Sequence, residues 1–142
     1  GGQMEELNFD SEEFKNSEAY KNFMSENSTE GMLKIQAYTA NQAYPLEGVE
    51  IEVSKEIDGK KIIFFTGTTD SSGIIDDIML PTVRSKEDIN SKDDILYTKY
   101  HITANYPRSH VKKEYDVAMF DSIKIIQPIR IPITTLIEGD EN

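Results

Sequence analysis

Residues 49–55 read Val49-Glu50-Ile51-Glu52-Val53-Ser54-Lys55. Apolar β-branched residues at 49, 51 and 53 alternate with Glu50 and Glu52, and Lys55 follows on the polar side. Side chains of an extended strand point to opposite faces with a period of two. This stretch therefore predicts a strand with one dry and one wet face. Turns bracket it. Pro45 and Gly48 punctuate the chain before it, and Asp58-Gly59 after it has the composition of a tight hairpin.

The same period runs outward from this hairpin. Upstream, Leu33, Ile35, Ala37 and Thr39 share one face, and Lys34, Gln36 and Tyr38 the other. Downstream, 61–69 carries Ile62-Ile63-Phe64-Phe65, four apolar residues in a row, which predicts a strand covered on both faces. Residues 70–73 form a turn in which Asp70 bonds backbone amides, and 74–81 is a short strand ended by Pro81. Residues 82–95 are charged, lack periodicity and form the longest loop. Three more strands follow. Tyr100, Ile102 and Ala104 mark one, and Tyr115, Val117 and Met119 the next. The last carries Ile123, Ile125, Ile129, Ile131 and Ile133. Pro128 and Pro132 cannot donate to a ladder, which predicts an edge position or a bulge for that strand.

Seven short strands without intervening amphipathic helices predict an all-β, antiparallel Greek-key sandwich and disfavour α/β architecture; a closed barrel is the alternative. We divide the chain into an acidic leader (1–30), the sandwich (31–135) and a polar tail (136–142). The leader has eight acids and two bases. Asp10 and Glu13 have capping-box spacing and Ser17 is a second candidate N-cap. Tyr20, Phe23 and Met24 would share a face of a short helix. It reads either as a helix resting on the domain or as a detachable docking segment, with 27–31 as a linker.

The whole chain has 142 residues, 15 basic and 26 acidic, for a net charge of -11. Such a chain repels phosphate backbones and anionic membranes, so neither nucleic acid nor membrane is an expected partner. No apolar stretch is long enough to span a bilayer, and residues 1–30 hold no apolar core of a secretory signal. Cysteine is absent, which removes thiolate chemistry and Cys-type zinc sites.

Four stretches carry a resemblance: GMLKIQAYTANQAYPLEGVEIEVSK (31–55), FFTGTTDSSGIIDDIMLP (64–81), YHITANY (100–106) and IIQPIRIPI (125–133). Together they resemble the transthyretin-like, carboxypeptidase-regulatory-like β-sandwich family, in particular a clostridial branch of it. The matching positions are Gly31, Leu33, Lys34, Pro45, Gly48, Thr69, Asp70, Gly73, Leu80, Pro81, Gln127 and Pro128. That branch occurs in spore cortex-lytic enzymes, beside peptidoglycan-binding repeats, and as short proteins with an acidic leader. The resemblance implies a spacer, carrier or recognition module in a spore or cell-envelope setting. A spore-associated or cytoplasmic location is expected, with the cell envelope as the alternative. Relatives include a hydrolase of ureido-ring compounds with a C-terminal Tyr-Arg-Gly-Ser, whereas this sequence ends Glu-Gly-Asp-Glu-Asn. The expectation is therefore a non-catalytic module and no enzyme.

No cofactor or metal is expected. His101 and His110 are the two imidazoles, and no His-x-x-x-His pair exists. Ser109-His110 are adjacent on what reads as a strand, so they would face opposite ways, and no Gly-x-Ser-x-Gly elbow is present. Asp70, Ser71, Asp76 and Asp77 could offer oxygens to calcium, but their spacing fits no EF-hand. The candidate interaction surface is Tyr38, Tyr44, Tyr97, Tyr106 and His101, read as lying on outer faces or strand ends. Tyrosines stack on sugars and anchor protein interfaces. Two partners follow: another protein or a second copy, by surface complementarity or strand addition, or alternatively peptidoglycan. A hydrolase would need a pocket in which a histidine meets Arg108 or an acid.

Overall fold

The hairpin around Asp58-Gly59 forms as its alternation predicts. The computed structural model describes residues 4–86 and 96–132. Most of the charged 82–95 stretch and the whole 136–142 tail lie outside the described residues. In chain order the elements are β1 (Glu6–Asn8), α1 (Glu12–Lys15), α2 (Glu18–Glu26), β2 (Thr29–Thr39), β3 (Glu50–Ile57), β4 (Lys60–Thr68), β5 (Ile74–Thr82), β6 (Thr98–Tyr106), β7 (Val111–Met119) and β8 (Lys124–Ile131). They form a five-stranded sheet, β1-β4-β3-β6-β7, and a three-stranded sheet, β5-β2-β8. The chain changes sheet between β1 and β2, β2 and β3, β4 and β5, β5 and β6, and β7 and β8. This is the Greek-key wiring of a β-sandwich, not a closed barrel. Most pairings are antiparallel, but β2–β8 and β1–β4 run parallel.

The dry faces read from the sequence meet between the sheets. Leu33, Ile35 and Ala37 of β2 and Ile129 and Ile131 of β8 face Val49, Ile51, Val53, Ile102, Ala104 and Met119, all buried. Burial of a Leu- or Ile-sized side chain contributes about 1.5–3 kcal/mol. Tyr100 is also buried, and its hydroxyl donates to the Pro81 carbonyl at 2.5 Å, tying one sheet to the other. Burial raises the Tyr100 pKa, so the hydroxyl stays a donor. Tyr100→Phe strands that carbonyl without a partner and is expected to lower stability by about 1–2 kcal/mol. The measurement is a urea midpoint at unchanged m-value; an unmoved midpoint would mean the bond contributes nothing.

The apolar run of β4 has a local cause. Val53 pairs with Phe65 and Ser54 with Ile63, so Phe64 is an extra, bulged residue. β4 is not covered on both faces by sheets. The leader covers it instead. Phe64 stacks on Phe9 at 4.5 Å and meets Tyr100 edge-on at 5.0 Å. Phe23 of α2 lies 5.7 Å from Phe64 and 6.3 Å from Phe9, and it belongs to the core cluster. Ser11 caps α1, rather than Asp10, and Ser17 caps α2. The supposed linker 27–31 is built in. Asn27 is buried, accepts from the Thr98 hydroxyl at 2.6 Å and donates to the Phe23 carbonyl, and β2 starts at Thr29.

Each outermost strand is guarded. β1 is three residues long. β5 carries a bulge, because Leu33 pairs with Ile78 and Ile35 with Ile75, leaving Asp76 and Asp77 opposite Lys34. β7 places the half-buried Lys113 on its inward side. Just before β8 and at its end, the carbonyls of Ile123 and Ile131 accept from Met32 and Ala40. Backbone groups of alternate residues point opposite ways, so Pro128 lies on the outward side, where it offers no N–H. Short strands, bulges, inward charges and edge prolines are the devices that prevent strand addition.

Candidate functional site

The outer side of the five-stranded sheet is polar because β3, β6 and β7 each alternate. Glu50 and Glu52 project from β3, His101, Thr103 and Asn105 from β6, and Lys112, Glu114 and Asp116 from β7. All of these but Asp116, with Lys55, Lys61, Thr66 and Thr68, line a concave depression of about 770 Å³ that Met4 borders. The β6–β7 register pairs His101 with Asp116 and Thr103 with Glu114. It sets His101 between two carboxylates: Nδ1 is 3.0 Å from Asp116 Oδ1 and Nε2 is 2.9 Å from Glu114 Oε1. Around this centre, Lys61 Nζ meets Glu52 at 2.6 Å and Glu6 at 3.4 Å. Asn105 donates to Glu50 at 3.0 Å, and Lys55 Nζ donates to the Lys99 carbonyl at 2.8 Å.

The electrostatics follow from the contacts. Hydrogen bonds donated to Asp116 and then to Glu114 raise the His101 pKa against a smaller desolvation penalty. The bond to His101 lowers the pKa of each carboxylate in return, helped by Lys112 at Glu114 and by Lys99 at Asp116. A raised histidine pKa contributes stability that is whole below its unfolded value, about 6.5, and is lost as pH rises through the folded one. The two depressed carboxylates contribute stability above their unfolded values that is lost as pH falls through the folded ones. The His101 bridge is thus strongest in mildly acidic solution. Chemically, an imidazolium with both N–H groups engaged is a fixed positive charge, not a base with a free lone pair.

The remaining sequence candidates do not gather here. Tyr106 is a correction: it is 2% exposed and lies in the core, because it continues the inward parity of Tyr100, Ile102 and Ala104. Tyr44 is 60% exposed in the β2–β3 loop. Tyr38 lies at the end of β2, where its hydroxyl accepts from Arg130 Nε at 3.0 Å and its ring faces the guanidinium. Tyr97, 54% exposed, sits 6.0 Å from the Phe120 ring, beside Thr98 and hence the Asn27 end of the sandwich. Tyr38 and Tyr97 are thus separated by most of β2, roughly 30 Å at strand rise, whereas Tyr44 lies near Tyr38, whose backbone bridges to Pro45. His110 is exposed with a left-handed backbone, and the buried Ser109 hydroxyl finds no partner among the described residues. Asp70 closes its own turn, accepting from the amides of Ser72 and Ile74. Asp76 pairs with Lys124 at 3.3 Å. Among the described residues no group of three His, Asp or Glu side chains is arranged to hold a metal ion.

His101 was legible in the sequence as an outward-facing surface residue, but its carboxylate partners were not. The four residues between Tyr106 and Val111 hold the missing signal. Folding the chain back on that loop places 101 opposite 116.

Neither a protein-family model nor a curated protein sequence matches the chain. Solved structures do. A 5-hydroxyisourate hydrolase from Klebsiella pneumoniae aligns at 16% identity and a TM-score of 0.48 over 72% of this chain and 84% of that one. Transthyretin from Sparus aurata aligns at 17% and 0.43 over 68% and 86%. The likeness is to transthyretin-like sandwiches. It is a likeness of fold. It also corrects one expectation. A hydrolase stands among the similar structures, so the transthyretin-like resemblance does not make this chain a non-enzyme. Equally, a shared fold does not make it a hydrolase.

Proposed function

We propose that the chain is a β-sandwich recognition module that binds a protein partner on the outer face of its five-stranded sheet. The observation that supports this is the depression around His101, where acids, bases, threonine hydroxyls and an amide alternate over β4, β3, β6 and β7. Such a surface offers directional contacts to a polar protein surface. Binding by face complementarity fits the molecule better than strand addition, because the outermost strands are guarded. Peptidoglycan binding through tyrosines has less support, since Tyr106 is buried and Tyr97 lies at the opposite end of β2 from Tyr38 and Tyr44. The spore or cell-envelope setting rests on the sequence resemblance.

A photo-cross-linking residue at Thr103, in the centre of the face, tests the proposal against the same residue at Ile126, on the outer face of the other sheet. In extracts of the native host, a discrete protein adduct is expected at position 103 and not at 126. Equal adducts at both positions, or none at 103, would remove the proposal. Retention on purified peptidoglycan above that of an inert sandwich would replace it with the glycan reading.

A further inference from the structure

Both ring nitrogens of His101 are engaged by carboxylates, at 3.0 and 2.9 Å. A neutral imidazole carries one N–H and one lone pair. It can satisfy Asp116 or Glu114 but not both, and the second carboxylate would face a lone pair. The observed geometry is that of the imidazolium. On losing its proton, His101 must release one of the two acids to water.

We propose that His101 is a proton-operated clasp that decides whether the acids of this face are free to meet a basic protein surface. This rests on the recognition reading and specifies its partner: a surface rich in Lys and Arg. With the clasp closed, Glu114 and Asp116 are occupied from within. With it open, a freed carboxylate joins Glu50 on a molecule that already carries a net charge of -11. Both acids are accessible, with side chains 56% and 60% exposed.

The groups around His101 leave it as the one that switches. From β7 it faces Glu114 and Asp116. From β3 come Glu52 and, past the bulge, Lys55; from β4 comes Lys61; its own strand supplies Lys99. Glu52 and Lys61 neutralise one another at 2.6 Å. Burial and the neighbouring Lys99 lower the Lys55 pKa, while its ammonium is tied to the Lys99 carbonyl. Histidine is the side chain that ordinarily changes charge between pH 5 and 8. The clasp also bridges β6 to β7, which has no other strand partner among the described residues. Opening it loosens that strand as well as baring the acids.

Linkage fixes the direction. A cation that competes with His101 for Glu114 and Asp116 lowers the His101 pKa, and deprotonation strengthens cation binding by the same factor, about tenfold per unit of lowering. Affinity for a basic partner therefore rises with pH.

Two measurements test this. The first is the pH titration of the imidazole nitrogens by NMR in the free protein. The His101 midpoint is expected above about 6.5, the ordinary histidine value, and both Asp116→Asn and Glu114→Gln should bring it down. A midpoint at or below the ordinary value would overturn the clasp. The second is binding of a short Lys-rich peptide at pH 5.5 and pH 8, at fixed ionic strength. Wild type is expected to gain severalfold at the higher pH, and His101→Gln to show no pH dependence. An unchanged pH dependence in His101→Gln, or no peptide binding at either pH, would overturn the assigned partner chemistry. The NMR arm needs no partner. Failure of the Thr103 adduct beside a normal titration would remove the recognition reading and leave the clasp standing.

Discussion

Phe23→Ala is expected to destabilise the entire sandwich by about 3–5 kcal/mol, the range for removing a buried aromatic ring. Phe23 is 6% exposed and shares the core cluster with Leu33, Val53 and Tyr100. Its ring is one of a group, with Phe9, Phe64 and Tyr100, that links the leader to β4 and β6. Truncation leaves a cavity lined by rigid aromatics that cannot collapse into it. Thermal unfolding followed by the β-sheet signal in circular dichroism reads the effect. A melting temperature unchanged from wild type would show that the leader is an appendage whose helices come and go without the sandwich noticing. A large drop would show that residues 1–30 are not separable from the domain.

Gly73→Ala is expected to cost about 2–4 kcal/mol. Its φ is +77°, a region in which an L-residue is strained by about 1–2 kcal/mol. A Cβ there would collide with the Ala37 carbonyl oxygen and lie 3.1 Å from the Leu46 amide. Both neighbours are backbone. Ala37 donates to the Gly73 carbonyl at 2.7 Å and accepts from Leu46 at 3.0 Å, so the glycine holds the β2–β3 and β4–β5 loops together. Gly48→Ala is the control. Its φ is +90°, yet nothing lies within 4 Å of an added Cβ. Chemical denaturation of the two variants separates collision from backbone strain. Equal losses would mean that the close approach at Gly73 adds nothing.

The sandwich was legible in the sequence wherever burial is one-sided. The parities of Leu33, Ile35 and Ala37, of Val49, Ile51 and Val53, and of Tyr100, Ile102 and Ala104 all name the inner faces correctly. Tyr106 follows the same rule and was misplaced because a strand end was equated with exposure. Ile123 shares parity with Ile125 but is 49% exposed, since it precedes the start of β8. β1 left no trace. Three residues are too few to show a period, and their pairing with Lys61, Ile62 and Ile63 is a tertiary matter. The same holds for the bulge at Phe64, whose run of apolar residues mimics a central strand. Outward parity for His101 came from one strand, whereas its two carboxylates come from the next, and period alone says nothing about register. The pairing of His101 with Glu114 and Asp116 was hidden for that reason, although His101 itself was read as a surface residue.

The ring cluster also sets an order of events during synthesis. Phe9 and Phe23 leave the ribosome before Tyr100, which follows about 80 residues later, several seconds to over ten at ordinary elongation rates. Throughout that interval the nascent chain carries bare aromatic rings on a segment that cannot yet dock. An early-emerging plug that must wait for its socket makes this protein a natural client for whatever shields hydrophobic chains at the exit tunnel.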